Sequence, residues 1–480
     1  MSPVKMSRTN ALLKHTQLSA RLSEAKSALR HINYASRLHA EASTLLASLG
    51  RRQEAEDELS AAAQLFAPRA EDCEALAFAA FQIGAHRLAH EFYGRVVELV
   101  PHDATAWYNF ATSQRNLGFL QEAEFSSTRS LALDPQLVQA ALLRSHLRKQ
   151  QPGNNHVDEL RQLLVNSENN ATAQIFLNYA LGKELDDLSE YKDAFTHFAT
   201  GAHTRRLHLN YDVKVDLDKI ERLREVYPPA MLKAARHQGR ATEYAFILGL
   251  PRSGTTLIER VLTGHPLVTS NGETDNFLAA LQEGLDGGTD DIFARAARAD
   301  SNLVYSAYVQ RTGSPPPGGI LLEKLPLNYL YVGAICLAIP NAQILLLRRS
   351  PADNAFGMYS TLFSNGYPFS YDLGELAEYY LAYHRLTEHW KRHLGDRILE
   401  VSYEHFIAQP QTLGPKITGH LGLSWNDKML LVEQNQAPSA TASAAQIRKP
   451  IYRTSIGRWR SYATGMGKFI DRISAAGLDP

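Results

Sequence analysis

Cysteine is almost absent: Cys73 and Cys336 are the 2 in 480 residues, and they lie far apart. That leaves no disulfide framework and no cysteine-based zinc spacing, and it fits a reducing compartment. Nowhere does an apolar run approach the ~20 residues of a membrane-spanning helix. The N-terminus also lacks the apolar core of a secretory signal. A cytoplasmic location without a membrane span is the expectation from these absences. An excess of one charge is missing too: Lys+Arg and Asp+Glu are both 50. Net charge therefore gives no sign of nucleic-acid or membrane-surface binding, and any anion site must be a local cluster. Locally, acids are scarce over Met1–Leu38, where Glu24 is the single one. Residues 1–36 read as a solvated helical lead-in.

What is present first is repetition. Gly50, Gly84 and Gly118 are spaced by 34 residues, and Ala55, Ala89 and Ala123 follow each glycine by 5. Pro101 and Pro135 keep the same spacing, with Pro68 one residue out of register. Each unit reads as a helix, a tight turn at glycine, a second helix held close by the small alanine, and a proline stop. A 34-residue period of this kind resembles the tetratricopeptide repeat. Three clear copies span Arg37–Pro135, and degenerate pairs continue, giving a helical solenoid over 37–206 and a helical linker over 207–240. Such arrays present concave surfaces, so protein partners are expected there.

The pattern changes after Tyr227-Pro228-Pro229. Continuous apolar runs at Tyr244–Leu250, Gly319–Lys324, Ala342–Arg349 and Arg397–Tyr403 alternate with helical stretches. Runs of that kind are expected of parallel strands covered on both faces. Residues 241–480 are thus expected to form a three-layer α/β domain with a central parallel sheet, making the whole chain α + α/β.

Between the first run and the next helix stands "GLPRSGTTL", nearly a nucleoside-triphosphate loop but without its lysine. Turn glycines and a new helix N-terminus gather backbone N–H groups around one point, which suits an anion. Arg252 adds a planar cation and Thr255 and Thr256 add hydroxyls. A second anion site is expected at "RRSPADNAFG", where Arg348 and Arg349 close a strand. Ser350, Pro351 and Asp353 there carry a helix-start signature in which Asp353 acts as a capping-box partner.

These segments resemble the sulfotransferases that use 3′-phosphoadenosine 5′-phosphosulfate (PAPS), and in particular the tyrosylprotein branch. The resemblance covers Tyr244–Tyr462. It implies that Arg252, Ser253, Gly254, Thr255 and Thr256 hold the 5′-phosphosulfate and that Arg349 holds the 3′-phosphate. Tyr403, Ser443 and Arg458 would approach the nucleotide. Glu273, in "NGET", matches the family's base, although Ser270 and Glu273 also have the spacing of a capping box. Lys324, in "EKLPLN", matches the lysine that assists the leaving oxygen, with Arg252 stabilising charge beside it; Asn328 matches as well. His265 reads as structural. One departure stands out: eight residues after Arg349 the family has serine, and this chain has Gly357. Ser360, one turn on, is the candidate substitute. The expected activity is sulfuryl transfer from PAPS, with no metal, to a hydroxyl on a protein or peptide, a glycan or a small molecule. The alternatives are a small-molecule kinase with the same loop, or an inactive scaffold that binds partners through its repeats.

Overall fold

Three helix–turn–helix pairs carry the repeat: Ser36–Ser48 with Arg52–Gln64, Ala70–Gln82 with His86–Leu99, and Ala104–Leu117 with Leu120–Leu133. The computed structural model describes residues 17–27, 36–64, 69–235, 242–285, 288, 291–363, 366–435, 437–438, 448 and 450–480. Pro68 lies outside them. Gly50, Gly84 and Gly118 take φ of 76°, 76° and 91°. Each donates its N–H to the carbonyl three residues back, while the following residue reaches five back: Arg51 to Leu46, Ala85 to Ala80 and Phe119 to Gln114. This paired closure satisfies the last carbonyls of the first helix, and the left-handed φ it needs is costly for any residue with a Cβ. Ala55, Ala89 and Ala123 are buried, so the second helix of each pair packs by its small residue.

The contacts divide the chain into two compact units. One takes Met1–Leu147, Asp275–Ser314 and Gln436–Ala440 and so holds the three glycine pairs. The other takes Arg148–Thr274, Pro315–Asn435 and Thr441–Pro480. In it lies a further helical pair, Ala171–Asp187 with Tyr191–Leu207. That pair closes by the same hydrogen bonds, Ser189 N–H to Asp186 and Glu190 N–H to Leu185. Ser189 stands at the glycine position with φ 66°, and buried Ala194 follows it by the same five residues.

The second unit is built on five parallel strands: β1 (Tyr244–Gly249), β2 (Val268–Ser270), β3 (Ile320–Lys324), β4 (Gln343–Arg348) and β5 (Ile398–Ser402), in the order β2-β3-β1-β4-β5. Four of them coincide with the apolar runs; the three-residue β2 has no such run. β1, β3 and all of β4 up to Leu347 are buried, as strands covered on both faces must be. Arg397 fixes the start of β5. Its buried guanidinium donates to the carbonyls of Ala342, Cys336, Ile339 and Ala235, so a cation that would be costly to bury closes a helix end and two turns. The order places the carboxyl ends of β1, β3 and β4 side by side. Gly249 is level with Leu347, and Ile247 with Lys324. Ligands of open α/β sheets bind at this edge.

Candidate active site

β1 ends in a turn whose backbone is fixed by its own sequence. Gly249 lies so close to β4 that a Cβ would meet the Leu347 carbonyl at 2.5 Å. Gly254, at φ 101°, accepts the Tyr403 ring where a side chain would stand. Arg252 between them holds φ 67°, rare for a non-glycine residue. Its conformation is enforced from outside: Asn354 Nδ2 donates to the Pro251 carbonyl at 2.8 Å, and Arg349 Nη1 donates to the Arg252 carbonyl at 3.1 Å. The helix Thr255–Leu262 starts directly after, with Thr255 and Thr256 buried in its first turn.

Two polar atoms here are buried with no hydrogen-bond partner among the described residues: Ser253 Oγ and Arg349 Nε. Orphans of this kind call for an explanation. A bound anion with several acceptor oxygens, seated at the helix N-terminus, answers both. Burial, and after it the neighbouring Arg349 cation, press the Arg252 guanidinium below its usual range. Arg349 also lies over the Tyr403 ring at 5.0 Å, and Tyr403 OH meets Ser455 Oγ at 2.9 Å. The expected phosphosulfate-loop residues and Arg349 and Tyr403 therefore come together.

Arg348 does not join them. Successive strand residues face opposite sides, and Arg348 pairs with Glu388, with Glu400 at 2.7 Å, and with Thr387 Oγ at 3.0 Å. Its anion is supplied by the protein, so the two arginines of the doublet have different partners. Asp353 departs from its expected role as well. Ser350 does cap the helix Pro351–Tyr359, but the Ser350 N–H goes to Glu404 at 2.9 Å instead of to Asp353. The Asp353 carboxylate accepts from the N–H groups of Gly457 and, at 3.0 Å, Trp459, and so holds the C-terminal segment. Ser360, the candidate substitute, donates its hydroxyl to the Phe356 carbonyl of its own helix at 2.7 Å. Arg458 is ion-paired with Asp186, which also accepts from Tyr462 OH. Ser443 lies outside the described residues.

On the other side of β1, Lys324 is completely buried at the end of β3. Its ammonium donates to Glu273 Oε1 at 2.5 Å and lies 3.4 Å from Glu259 Oε2. Glu259, on the loop helix, accepts from Ser270 Oγ at 2.5 Å, and Ser270 Oγ in turn accepts from Gly272 N–H at 3.0 Å. Ser270 is thus engaged with Glu259, and no capping box forms with Glu273. The next helix begins only at Asn276. Two carboxylates make burial of the ammonium tolerable. They differ in access: Glu273's side chain is 39% exposed and Glu259's 13%. Sequence reasoning missed Glu259, whose sole signal is a carboxylate one turn into the loop helix. It also missed Tyr367, at φ 55°, whose hydroxyl is pushed up by burial and then by the Glu273 carboxylate. Phe363 and Phe369 lie 4.8 and 6.2 Å from the Tyr367 ring. Asn328 is buried, with Nδ2 unpartnered among the described residues. His265 accepts from Leu267 N–H at 3.1 Å, a local structural bond.

One edge of the parallel sheet thus gathers a phosphate-loop-like turn, an arginine and a lysine–carboxylate cluster. Residues 245–427 match the model described as the sulfotransferase family, and this stretch is a sulfotransferase-family domain. Among similar proteins, an uncharacterised protein of Aquifex aeolicus is 26% identical over 363 residues, covering 72% of this chain and 47% of its own. The protein-tyrosine sulfotransferase of Drosophila melanogaster is 27% identical over 268 residues, 49% of this chain and 51% of its own. The chain thus spans about half the length of these relatives. Among solved structures, the sulfotransferase domain of the Synechococcus olefin synthase aligns at 19% identity with a TM-score of 0.34, over 51% of this chain and 98% of that one. No described helix is long and apolar enough to cross a membrane.

Proposed function

We propose that the chain transfers a sulfuryl group from PAPS to an acceptor hydroxyl. The observation that carries this reading is the buried ammonium of Lys324, clasped by Glu273 and Glu259 beside a turn that leaves Ser253 Oγ and Arg349 Nε without partners. When bound, the donor supplies an activated sulfuryl group on a phosphate leaving group. Ser253, Gly254, Thr255, Thr256 and Arg252 would hold its 5′ end, and Arg349 the 3′-phosphate. Tyr403 would flank the nucleotide. Arg458, ion-paired with Asp186, would approach the nucleotide from the C-terminal segment.

Glu273, the more accessible carboxylate, takes the proton from the acceptor hydroxyl. The acceptor oxygen forms its bond to sulfur as the bond from sulfur to the bridging phosphate oxygen breaks, and 3′-phosphoadenosine 5′-phosphate departs. Lys324 meets the charge growing on that bridging oxygen, and Arg252 meets charge on the sulfuryl oxygens. When Glu273 gains its proton, Lys324 keeps Glu259 as counter-ion, so the buried ammonium is never left alone. The first acceptor to test is a protein tyrosine. The Tyr367 hydroxyl feels the Glu273 carboxylate, Phe363 packs on the Tyr367 ring, and the fly relative is a protein-tyrosine sulfotransferase. A thermal-shift titration with 3′-phosphoadenosine 5′-phosphate tests the donor. A saturable rise in Tm is expected, and no shift at millimolar nucleotide contradicts the proposal.

A further inference from the structure

The helical pair Ala171–Asp187 with Tyr191–Leu207 closes like a repeat, but it is packed into the sheet-bearing unit. Tyr179 OH donates to the Tyr359 carbonyl at 3.2 Å, and Phe198 meets Phe356 edge-on at 6.2 Å. Both contacts reach the helix Pro351–Tyr359, which starts two residues after Arg349. The same pair reaches the C-terminal segment. The buried Tyr462 ring stacks on Phe356 at 4.1 Å, with Tyr191 and Phe195 at 5.5 and 6.2 Å. A Cβ at Gly465 would meet the Phe195 ring at 2.4 Å, so the chain there lies directly against the pair. Asp186 makes the polar contact: one carboxylate oxygen pairs with Arg458, and the other accepts from Tyr462 OH. Asp186 stands in the last turn of its helix, where the dipole favours a cation over a carboxylate and no basic residue is present. Its support comes instead from the far end of the chain.

We infer that Asp186 is a positioning residue of the donor site: it fixes the direction of Arg458 and seats the turn 455–462, so that this helical pair serves the nucleotide and not a protein partner. The turn is held from two sides. Asp353 takes the N–H groups of Gly457 and Trp459, and Arg349 Nη2 donates to the Ser455 carbonyl. Asp186 holds the side chains of the same turn from the helical pair. Ordering a long side chain in advance spares the ligand that cost, which for one residue amounts to about twofold to tenfold in affinity. Charge alone acts in the opposite direction. Removing a carboxylate near an anion site lowers repulsion and would tighten nucleotide binding. The sign of the change therefore separates positioning from plain electrostatics.

The inference rests on the sulfuryl-transfer reading above, and its test separates the two. Calorimetry on the full chain measures the Kd of 3′-phosphoadenosine 5′-phosphate. Asp186→Asn keeps an oxygen for Tyr462 OH and removes the charge that Arg458 meets. It is expected to weaken the nucleotide about fivefold. Arg458→Ala should weaken it about tenfold. In the Arg458→Ala background, Asp186→Asn should change Kd less than about twofold, the coupling expected of residues in contact. An Asp186→Asn chain that binds the nucleotide as well as the unaltered chain or better overturns the inference, even where its Tm falls, because Asp186 is then scaffold alone. An equal loss in both backgrounds overturns it too. Either result leaves the sulfuryl-transfer reading standing. Failure of the unaltered chain to bind the nucleotide takes both down.

Discussion

The two flanks of β1 handle charge in opposite ways. Toward β4, the Arg349 guanidinium reaches the Arg252 carbonyl at 3.1 Å, and buried polar atoms of Ser253 and Arg349 remain unpartnered among the described residues. Toward β3, the Lys324 ammonium lies between two carboxylates, and the second carboxylate is itself held by Ser270. On the proposed function the first arrangement takes the donor's anion, whereas the second holds its ammonium between carboxylates and passes a proton without stranding a charge. That reading divides binding and chemistry between neighbouring strand ends, so each can be broken without the other.

The largest effect is expected on the balanced flank. Lys324→Ala should lower kcat by about 10²–10³, the usual size for losing one stabilising group of this kind. It also leaves Glu273 and Glu259 facing each other without a cation. Steady-state kinetics at saturating PAPS reads the loss, and an unchanged kcat would take Lys324 out of that role. Glu273→Gln should cost about 10²-fold or more in kcat and leave nucleotide affinity nearly unchanged, as calorimetry would read. Parallel losses in kcat and affinity would erase the division between the flanks. On the incomplete flank, Arg349→Ala should weaken 3′-phosphoadenosine 5′-phosphate by about tenfold to a hundredfold, in line with about 1.5–3 kcal/mol for a hydrogen bond to a charged group. Adenosine 5′-phosphate should be affected far less. Asp353→Asn keeps the helix but weakens the hold on Gly457 and Trp459. Faster amide exchange at those two residues and a several-fold loss of nucleotide affinity are expected; unchanged exchange would remove Asp353 from that role.

Much of this edge was legible in the sequence because the physics is local. Strands buried on both faces write continuous apolar runs, and the turn glycines Gly249 and Gly254 write their own steric demands. Lys324 is named by its place at the end of such a run. What was not legible depends on chain neighbours far apart in sequence. Glu259 looks like any helical surface glutamate until β3 brings Lys324 to it. Asp353 reads as a capping partner because its contact with residues 457–459 is invisible locally. Arg348 and Arg349 read as one doublet, although strand alternation sends them to different partners. Ser189 shows the same limit in the helices: it fills a turn that the other pairs build on glycine. Ser189→Gly should relieve the left-handed strain and raise stability by less than about 1 kcal/mol, because glycine's larger unfolded-state entropy offsets part of the gain. Chemical denaturation measures it.

The most direct measurement of the central claim follows the transferred group. The full chain is incubated with PAPS labelled in its sulfur, and in parallel with ATP labelled in its γ-phosphate and magnesium, each with tyrosine-containing peptides, glycans and small-molecule alcohols. The account predicts label from sulfur on a hydroxyl acceptor with equimolar release of 3′-phosphoadenosine 5′-phosphate, at a rate that Glu273→Gln lowers about 10²-fold or more. Phosphoryl transfer without sulfuryl transfer would contradict it, as would sulfuryl transfer at an undiminished rate after the loss of Glu273.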